Sequence, residues 1–504
     1  MIAAGTTGLI AATAAGPAGA AARGAADGTP EQIHLTWGDD PTRVVVVSWA
    51  SPGPAERPRV RVGQRVITAA ERVFTDAVSG IVSWTYHARV DGLRPGATYG
   101  YAVTADNDAN AADPFSATFT TAPAGRAAFR FTSFGDAPGD DWQAAYAVAA
   151  VETFQPLFHL LNGDLAHASA GVTAPGALAR AWREFGTNVQ ASAANRPWLP
   201  VPGDHEPAAG HAEQGLAAYL TRYALPSNGV EGFEGRWYAF RVGTALFVCL
   251  SGDDVTDADG AQTRWLGSTL AAARADASID WIVVQLHQCA CSSGPTGDGL
   301  EAGVRREWLS LFDTYEVDLV LSGHGGGYER SFPVRGSDTA AGGDTPTGAK
   351  TETRGPRPVT TVDSGVFDTS QGTVHLVLGS GDAGRPGDAV AYAPWSARRD
   401  ALTGHGIAVF DVSPGSEAGG QTSITVRYFH AAGPDPDSGG PHSGGPHSGG
   451  SDFNGAGSAG SAGSAGSAGS AGAGAGTVGD DYTLFETFTL VRPRSDGRRW
   501  HPKG

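Results

Sequence analysis

Aspartate and histidine residues follow five apolar runs in the middle of the chain, at the point where each run ends. These residues are Asp136, Asp164, Asp204 with the adjacent His205, His287 and His324. Carboxylate oxygens and imidazole nitrogens together form a ligand set that suits iron, zinc or manganese. Two such ions held close together can bind a phosphoryl group and activate water to attack it. Each residue alone indicates only a turn or a buried polar group, but the five motifs together indicate a metal-dependent hydrolase.

The segments around these residues predict how they are brought together. Helix-length segments at 142–154, 177–189, 262–275 and 304–315 alternate with the apolar runs. Alternation of strands and helices predicts a layered α/β domain. In open α/β sheets the loops at the carboxyl ends of the strands converge on one crevice, so we expect the aspartates and histidines to meet there.

Both flanks of this region have β character. The N-terminal flank has short β-branched segments at 33–37, 43–49, 58–62, 84–90, 98–103 and 117–121, which predict an all-β sandwich. The turn around Arg94 and Tyr99 resembles that of fibronectin type III-like domains, in which a tyrosine ties a loop to the sheet. After Ser331 the strand candidates are 373–378, 407–412, 423–429 and 483–491.

Composition excludes several classes of function. The 504 residues predict more than one domain. With 52 acidic and 35 basic residues the formal charge is -17, which disfavours nucleic acid and anionic membranes as partners. No apolar run is long enough for a membrane-spanning helix. The three cysteines Cys249, Cys289 and Cys291 cannot form a disulfide framework, and we expect them to be structural.

Two segments are low in complexity. The first, 1–30, is rich in alanine and glycine and is either the apolar part of an export signal or a disordered start. The first alternative predicts a secreted or cell-surface protein. The second segment repeats Pro-His-Ser-Gly-Gly and then Gly-Ser-Ala between 434 and 476. Such a sequence cannot bury a core, so we expect it to be disordered.

The five motifs resemble those of the purple acid phosphatases within the calcineurin-like metallophosphoesterases. They read Gly135-Asp136, Gly163-Asp164-Leu165-Ala166-His167, Gly203-Asp204-His205-Glu206, Leu286-His287 and Gly323-His324-Gly325-Gly326. The resemblance implies an α/β fold, a four-layer β-sandwich flanked by helices, preceded by an all-β fibronectin type III-like sandwich. It divides the chain into that sandwich at 31–122, a metallophosphoesterase domain at 128–431, a disordered insert at 432–479, a final strand at 480–493 and a tail at 494–504.

The resemblance also implies a role for each site residue. Asp164, Asp204, His287 and His324 match the ligands of the family's second metal, and Asp136, Asp164 and His167 would bind the first metal. The expected cofactors are one or two ions of iron, zinc or manganese. His205 matches a histidine that contacts the phosphate and helps to protonate the leaving group, with orientation of Asp204 as the alternative role. Tyr328 and Arg330 are expected at the rim of the site, with a structural salt bridge as the alternative for Arg330.

Three positions depart from the family pattern. His167 stands in place of tyrosine, Asp204 in place of asparagine, and Gly326 in place of the second histidine of the last motif. Because glycine has no side chain to ligate a metal, the first metal is expected to bind loosely or not at all. The predicted function is metal-dependent hydrolysis of a small phosphate ester, by resemblance a monoester. The alternatives are a catalytically silent relative that acts as a binding module and a mononuclear phosphodiesterase.

Overall fold

A computed structural model describes most of the chain. The described residues are 27–137, 142–166, 176–206, 212–252, 259–293, 300–324, 327–336, 356–379, 393–400, 406–431, 482–497 and residue 500. His167, Gly326, residues 1–26 and residues 432–481 lie outside them, so the predictions for those positions stay predictions. No helix within the described ranges is both long enough and apolar enough to cross a membrane.

The N-terminal part is an all-β sandwich, as predicted. Its strands are β1 (Glu31–Trp37), β2 (Val45–Ser51), β3 (Arg59–Val62), β4 (Arg65–Thr68), β5 (Ala70–Thr75), β6 (Val82–Val90), β7 (Thr98–Thr104) and β8 (Ser116–Thr120). They form two sheets of order β1-β2-β6-β5 and β4-β3-β7-β8. Trp37, Trp49 and Tyr86 of this sandwich are fully buried. The backbone N–H of Arg94 donates to the Tyr99 hydroxyl at 2.8 Å, which is the loop contact expected from the sequence.

The remainder is an α/β domain of two large sheets with helices packed on them. Its elements in chain order are β9 (Phe129–Phe134), α1 (Trp142–Phe154), β10 (Phe158–Leu161), α2 (Ala177–Ala193), β11 (Trp198–Pro200), α3 (Ala212–Arg222), β12 (Tyr238–Val242), β13 (Ala245–Cys249), α4 (Ala261–Ala275), β14 (Trp281–Gln285), α5 (Leu300–Thr314), β15 (Leu319–Ser322), β16 (Gly327–Ser331), β17 (Val334–Arg335), β18 (Arg357–Pro358), β19 (Val366–Asp368), β20 (Val374–Gly379), β21 (Ser396–Asp400), β22 (Gly406–Ser413), β23 (Gln421–Ala431) and β24 (Tyr482–Pro493). The first sheet has the order β11-β10-β9-β22-β23-β24-β19, and the second has the order β12-β13-β14-β15-β20-β16-β21.

The strands that precede the predicted site residues are parallel within each sheet. β10 pairs in parallel with β9 and β11, and β14 pairs in parallel with β13 and β15. Every residue of β10, β11, β14 and β15 is buried, as expected for parallel strands covered on both faces. This arrangement places the carboxyl ends of several strands at one edge of each sheet.

The two parts of the molecule are joined by hydrogen bonds as well as by a common core. The imidazole Nε2 of His34 lies 3.0 Å from the carbonyl oxygen of Arg222, and the Tyr101 hydroxyl donates to the carbonyl of Ala194 at 2.7 Å. The Trp37 ring lies 4.9 Å from the Phe158 ring, so the apolar interior continues from one part to the other. The sandwich is thereby fixed against α2 and α3.

The expectation that Tyr328 and Arg330 form the rim of the site is wrong. Tyr328 is 1% exposed and Arg330 is 0% exposed, because both lie on β16, a strand in the interior of the second sheet. The Arg330 guanidinium donates to Glu486 at 2.7 Å and to Asp363 at 2.8 Å, and it lies 4.8 Å from the ring centres of Phe367 and Phe488. Arg330 is therefore the structural salt-bridge partner of the alternative interpretation.

Candidate metal centre

The two large sheets meet at the edge where the predicted site residues lie. Gly135 forms an isolated backbone bridge with Gly379, and Gly135 follows β9 in one sheet while Gly379 ends β20 in the other. The side-chain amide of Gln285 donates to the carbonyl oxygens of Leu161 at 2.9 Å and Leu199 at 3.2 Å, again from one sheet to the other. The loops that follow five strands are therefore held close together.

Four of the predicted ligands come together in one cluster. The ligating atoms of Asp164, Asp204, His287 and His324 all lie within 4.8 Å of one another. The His287 Nε2 is 2.9 Å from Asp204 Oδ1 and 3.1 Å from Asp164 Oδ2, and His324 Nδ1 is 3.1 Å from Asp204 Oδ1. These are the four residues that the resemblance assigns to the second metal.

The hydrogen bonds of His287 prepare it to bind a metal. Its Nδ1 lies 2.8 Å from the backbone carbonyl oxygen of Asn162, which can only accept a hydrogen bond. The Nδ1–H therefore donates to Asn162, and Nε2 faces Asp164 and Asp204, where it could ligate a metal ion together with their carboxylates. A second hydrogen bond of this kind is typical of histidines that ligate metals, because it fixes the tautomer and the ring orientation.

A buried carboxylate oxygen beside the cluster has no hydrogen-bond donor among the residues that the structure describes. Asp136 Oδ1 is buried without a hydrogen bond from any described residue, and it lies 3.6 Å from Nδ1 of His287. Leaving a buried oxygen unpaired costs about 1–3 kcal/mol, more if it is charged. A metal cation would satisfy this oxygen, so the donor set and the unpaired Asp136 both fit a metal.

The electrostatics of the cluster reflect four ionisable groups that share a small, partly buried space. Burial acts to lower the pKa of His287, but Asp164 and Asp204 outweigh it and hold that pKa well above its usual value. The hydrogen bond to Asp204 raises the pKa of His324 to about 9. Burial raises the pKa of Asp136 to about 7. In the metal-free protein, protons on the two histidines balance the carboxylates that a metal ion would otherwise balance.

The backbone is strained at two of the predicted ligands. Asp136 has φ of 53° and Asp164 has φ of 52°, in the left-handed region that non-glycine residues seldom adopt. Such outliers cost about 1–3 kcal/mol and cluster at functional sites. The preceding Gly163 has φ of 81°, and a Cβ there would lie 2.6 Å from Nδ1 of the His287 ring. Glycine is thus required for His287 and Asp164 to approach each other.

Glu206 organises the cluster, and sequence reasoning gave it no role. Its carboxylate accepts hydrogen bonds from the backbone N–H groups of Gly203 at 2.7 Å, Leu165 at 2.9 Å and Asp164 at 3.1 Å. It is 3% exposed, and burial together with Asp164 raises its pKa to about 8. One side chain therefore ties the loop that follows β10 to the loop that follows β11. The only indication of this role in the sequence was the position of Glu206, which directly follows His205 in a motif after a buried strand.

The other predicted site residues fall into two groups. His205 lies at the cluster, with its backbone N–H 3.0 Å from Asp164 Oδ1 and its Nε2 3.7 Å from Asp164 Oδ2, and its side chain is 30% exposed. Asp136 lies beside the cluster, as described above. His167 and Gly326 are outside the described residues, so the ligand set of the first metal stays a prediction.

The three cysteines are buried and unpaired with one another, as a structural interpretation expects. The Cys289 thiol donates to the carbonyl oxygen of His324, and the Cys249 thiol donates to the side chain of Gln285 at 3.2 Å. Burial raises the pKa of Cys249 and Cys291 well above the usual thiol value. The thiols of Cys249 and Cys291 are therefore protonated near neutral pH.

Two family models match the chain. Residues 30–122 match the purple acid phosphatase N-terminal domain, and residues 129–325 match the calcineurin-like phosphoesterases. The chain belongs to the purple acid phosphatase branch of the calcineurin-like phosphoesterases. An uncharacterized protein of Mycobacterium tuberculosis is 36% identical, over 86% of this chain and 90% of its own.

More distant proteins agree with this family. A phosphoenolpyruvate phosphatase of Allium cepa is 27% identical, over 61% of this chain and 64% of its own length. The solved structure of the purple acid phosphatase PPD1 from yellow lupin seeds superimposes with a TM-score of 0.65 at 16% identity, over 93% of this chain and 75% of that one. The likeness to the lupin structure shows that the described part of the chain has this fold. Membership supports hydrolysis of phosphate esters in general.

Proposed function

We propose that this calcineurin-like phosphoesterase hydrolyses small phosphate monoesters with a metal ion bound by Asp164, Asp204, His287 and His324. The observation that supports the proposal most strongly is the convergence of these four side chains within 4.8 Å at the carboxyl ends of parallel strands. A bound iron, zinc or manganese ion would supply Lewis-acid activation of water and of the phosphoryl oxygens.

The chain's own residues then have separate roles. His287 is held in one tautomer by the carbonyl of Asn162, so its Nε2 is directed at the cluster. Asp164 also accepts the backbone N–H of His205, which fixes the position of that histidine relative to the ligands. Glu206 holds the two loops that present Asp164 and Asp204. The positions of the ligands are thus set before substrate binds.

We assign proton donation to His205. Its side chain is partly exposed and its Nε2 lies within 4 Å of the ligand Asp164, so a phosphate ester bound at the cluster can contact it. The departing oxygen of an ester needs a proton, and an imidazole can donate one near neutral pH. General acid catalysis is typically worth about 10²–10⁴ in rate, so His205→Gln should lower turnover by that range while metal binding is retained.

The test is hydrolysis of an aryl phosphate by chelator-treated protein reconstituted with iron plus zinc, with manganese, or with zinc alone. Asp164→Ala is the blank, and Asp113→Ala on an exposed loop of the N-terminal sandwich is the matched control. We expect metal-dependent turnover in the wild type and the control and none in the blank. Absence of turnover above the blank in folded protein would contradict the monoesterase proposal and favour the catalytically silent alternative.

A one-metal diesterase is the second candidate, because the structure brings together a full ligand set for one ion. The same preparations are assayed with a bis-aryl phosphate, and the amount of bound metal per chain is measured by inductively coupled plasma mass spectrometry. About one ion per chain, with diester turnover exceeding monoester turnover, would select the diesterase.

A further inference from the structure

A cavity lies between the N-terminal sandwich and the first half of α2. Its volume is about 370 Å³, and it is lined by the start of β1, the end of β2, the start of β6, the start of α2 and the side chain of Arg222 at the end of α3. None of its lining residues belongs to the metal cluster. The cavity is therefore a separate feature of the contact between the two parts of the molecule.

The lining of the cavity is positively charged. It contains Arg180, Arg183 and Arg222 but only one acidic residue, Glu31. Glu31 is already paired with Arg183 at 2.6 Å. Within the described residues, neither Arg180 nor Arg222 has an ion-pair partner. A chain with a formal charge of -17 thus concentrates two uncompensated cations at one cavity.

Arg222 is the more informative of the two cations, because it is 9% exposed. Its guanidinium lies 5.0 Å from the ring centre of Trp182 and 6.0 Å from that of Phe74, and it donates to the carbonyl oxygen of Ala218 at 2.9 Å. Burial lowers the pKa of Arg222 to about 10, so the group is still charged near neutral pH. A buried charge is costly unless an opposite charge lies nearby.

The rest of the lining mixes apolar and polar side chains. Ile81, Val82 and Trp84 of the sandwich and Ala179 of α2 are apolar, whereas Gln32, Ser51, Ser83 and Thr85 are polar. Ile81 is 44% exposed, so its side chain is accessible to a ligand. Ligand sites are typically concave and largely apolar, with a few polar groups that fix the orientation of the ligand.

We propose that this cavity binds a small organic anion, with an oxyanion group on Arg222 and Arg180 and an apolar body against Ile81 and Trp84. Guanidinium groups bind carboxylates and phosphates through paired hydrogen bonds, so both head groups are compatible with the site. The proposal does not depend on the proposed phosphatase activity.

The experiment is calorimetric titration of chelator-treated, full-length protein with benzoate, with phenylphosphonate and with cyclohexanol. Benzoate and phenylphosphonate distinguish the two head groups, and cyclohexanol reports the apolar contribution alone. Binding at the metal cluster is distinguished from binding at the cavity by the Arg222 and Arg180 variants described below. We expect one site per chain for at least one of the two anions and weaker or undetectable binding of cyclohexanol.

Two variants locate the site. Arg222→Gln and Arg180→Gln should each weaken anion binding by about tenfold or more, as expected for loss of a charged hydrogen bond. Arg61→Gln changes the charge equally at an exposed position of β3 and should bind like the wild type. Because Arg180 is exposed, Arg180→Gln is expected to fold even if Arg222→Gln does not. Absence of anion binding, or equal affinity in Arg180→Gln and the wild type, would overturn the proposal.

Discussion

The Nδ1 of His287 lies 2.8 Å from the backbone carbonyl oxygen of Asn162, and this contact determines which nitrogen of His287 faces the carboxylates. His287 follows a strand of one sheet, whereas Asn162 follows a strand of the other. The orientation of a metal ligand therefore depends on how the two sheets are held together. Residues outside the ligand set should accordingly affect metal binding.

Asp204→Asn should weaken binding of a divalent ion by about tenfold or more, because it removes one negative charge from the ligand set. Competition of zinc with a chromophoric chelator measures this affinity. Asp113→Asn removes the same charge at an exposed position and should leave the affinity unchanged. Equal affinities for Asp204→Asn and the wild type would show that the negative charge of Asp204 does not contribute to metal binding.

Glu206→Gln should loosen the two loops that carry Asp164 and Asp204. Both carboxylate oxygens of Glu206 accept hydrogen bonds from backbone N–H groups, and in glutamine one of these oxygens is replaced by an NH₂ group, which cannot accept them. We expect the free energy of unfolding to fall by about 1–3 kcal/mol. Zinc affinity should fall as well, since Asp164 and Asp204 are no longer held in place. Urea denaturation and the chelator competition measure the two effects. Glu231→Gln at an exposed position is the control, and unchanged zinc affinity in Glu206→Gln would argue for a stability role alone.

Glu486→Gln tests the corrected role of Arg330. Glu486 accepts hydrogen bonds from Arg330 at 2.7 Å and from the Tyr328 hydroxyl at 2.6 Å. Removing one partner of a buried ion pair costs about 3–5 kcal/mol. Urea denaturation should show this loss, while turnover of the folded variant at saturating substrate stays near that of the wild type. A loss of turnover without a loss of stability would instead indicate that Arg330 acts at the rim of the metal site.

Ionisation of Asp318 should make the free energy of unfolding depend on pH. Burial acts to raise the pKa of Asp318, but Arg274 and Arg492 outweigh it and hold that pKa below its usual value. The group is therefore more easily ionised in the folded protein than in the unfolded chain. Its contribution to stability is present above the unfolded pKa of about 3.9 and is lost as the pH falls through the lower folded value.

The measurement is urea denaturation of the wild type and Asp318→Asn at several pH values between 7 and 3. The wild type should be more stable by a constant amount above about pH 5, and the difference should shrink at lower pH as Asp318 becomes protonated. A difference that stayed constant down to pH 3 would contradict the pairing with Arg274 and Arg492.

Much of the fold was predictable because its central strands are buried on both faces. β10, β14 and β15 are apolar runs of four or five residues, and the sequence identifies each of them. β4 and β5 were missed, since most of their residues are exposed and show little of the apolar alternation that marks a strand. α3 was also missed. It contains Gly215, where a Cβ would collide with the carbonyl oxygen of Glu206, so close packing has replaced a helix-favouring residue.

The ligands of the candidate site could be predicted because they directly follow strands that the sequence identifies. Asp164, Asp204, His287 and His324 were expected to meet because parallel strands end at a common edge, and the structure brings them together. Glu206 could not be assigned from the sequence, because it acts on backbone N–H groups about 40 positions earlier in the chain. Such a contact depends on how two loops approach each other.

The last strand joins its sheet after a long interval of chain, yet it begins beside the point where the previous strand ends. Ala431, at the end of β23, pairs with Tyr482, at the start of β24. The 50 positions from 432 to 481 therefore leave and return at the same place on the sheet. The sequence predicts that this segment is disordered, and for such a closed loop each doubling of length costs only about 0.6 kcal/mol in chain entropy. The number of Gly-Ser-Ala repeats can thus change during evolution with little effect on the strand that supplies Glu486 to Arg330.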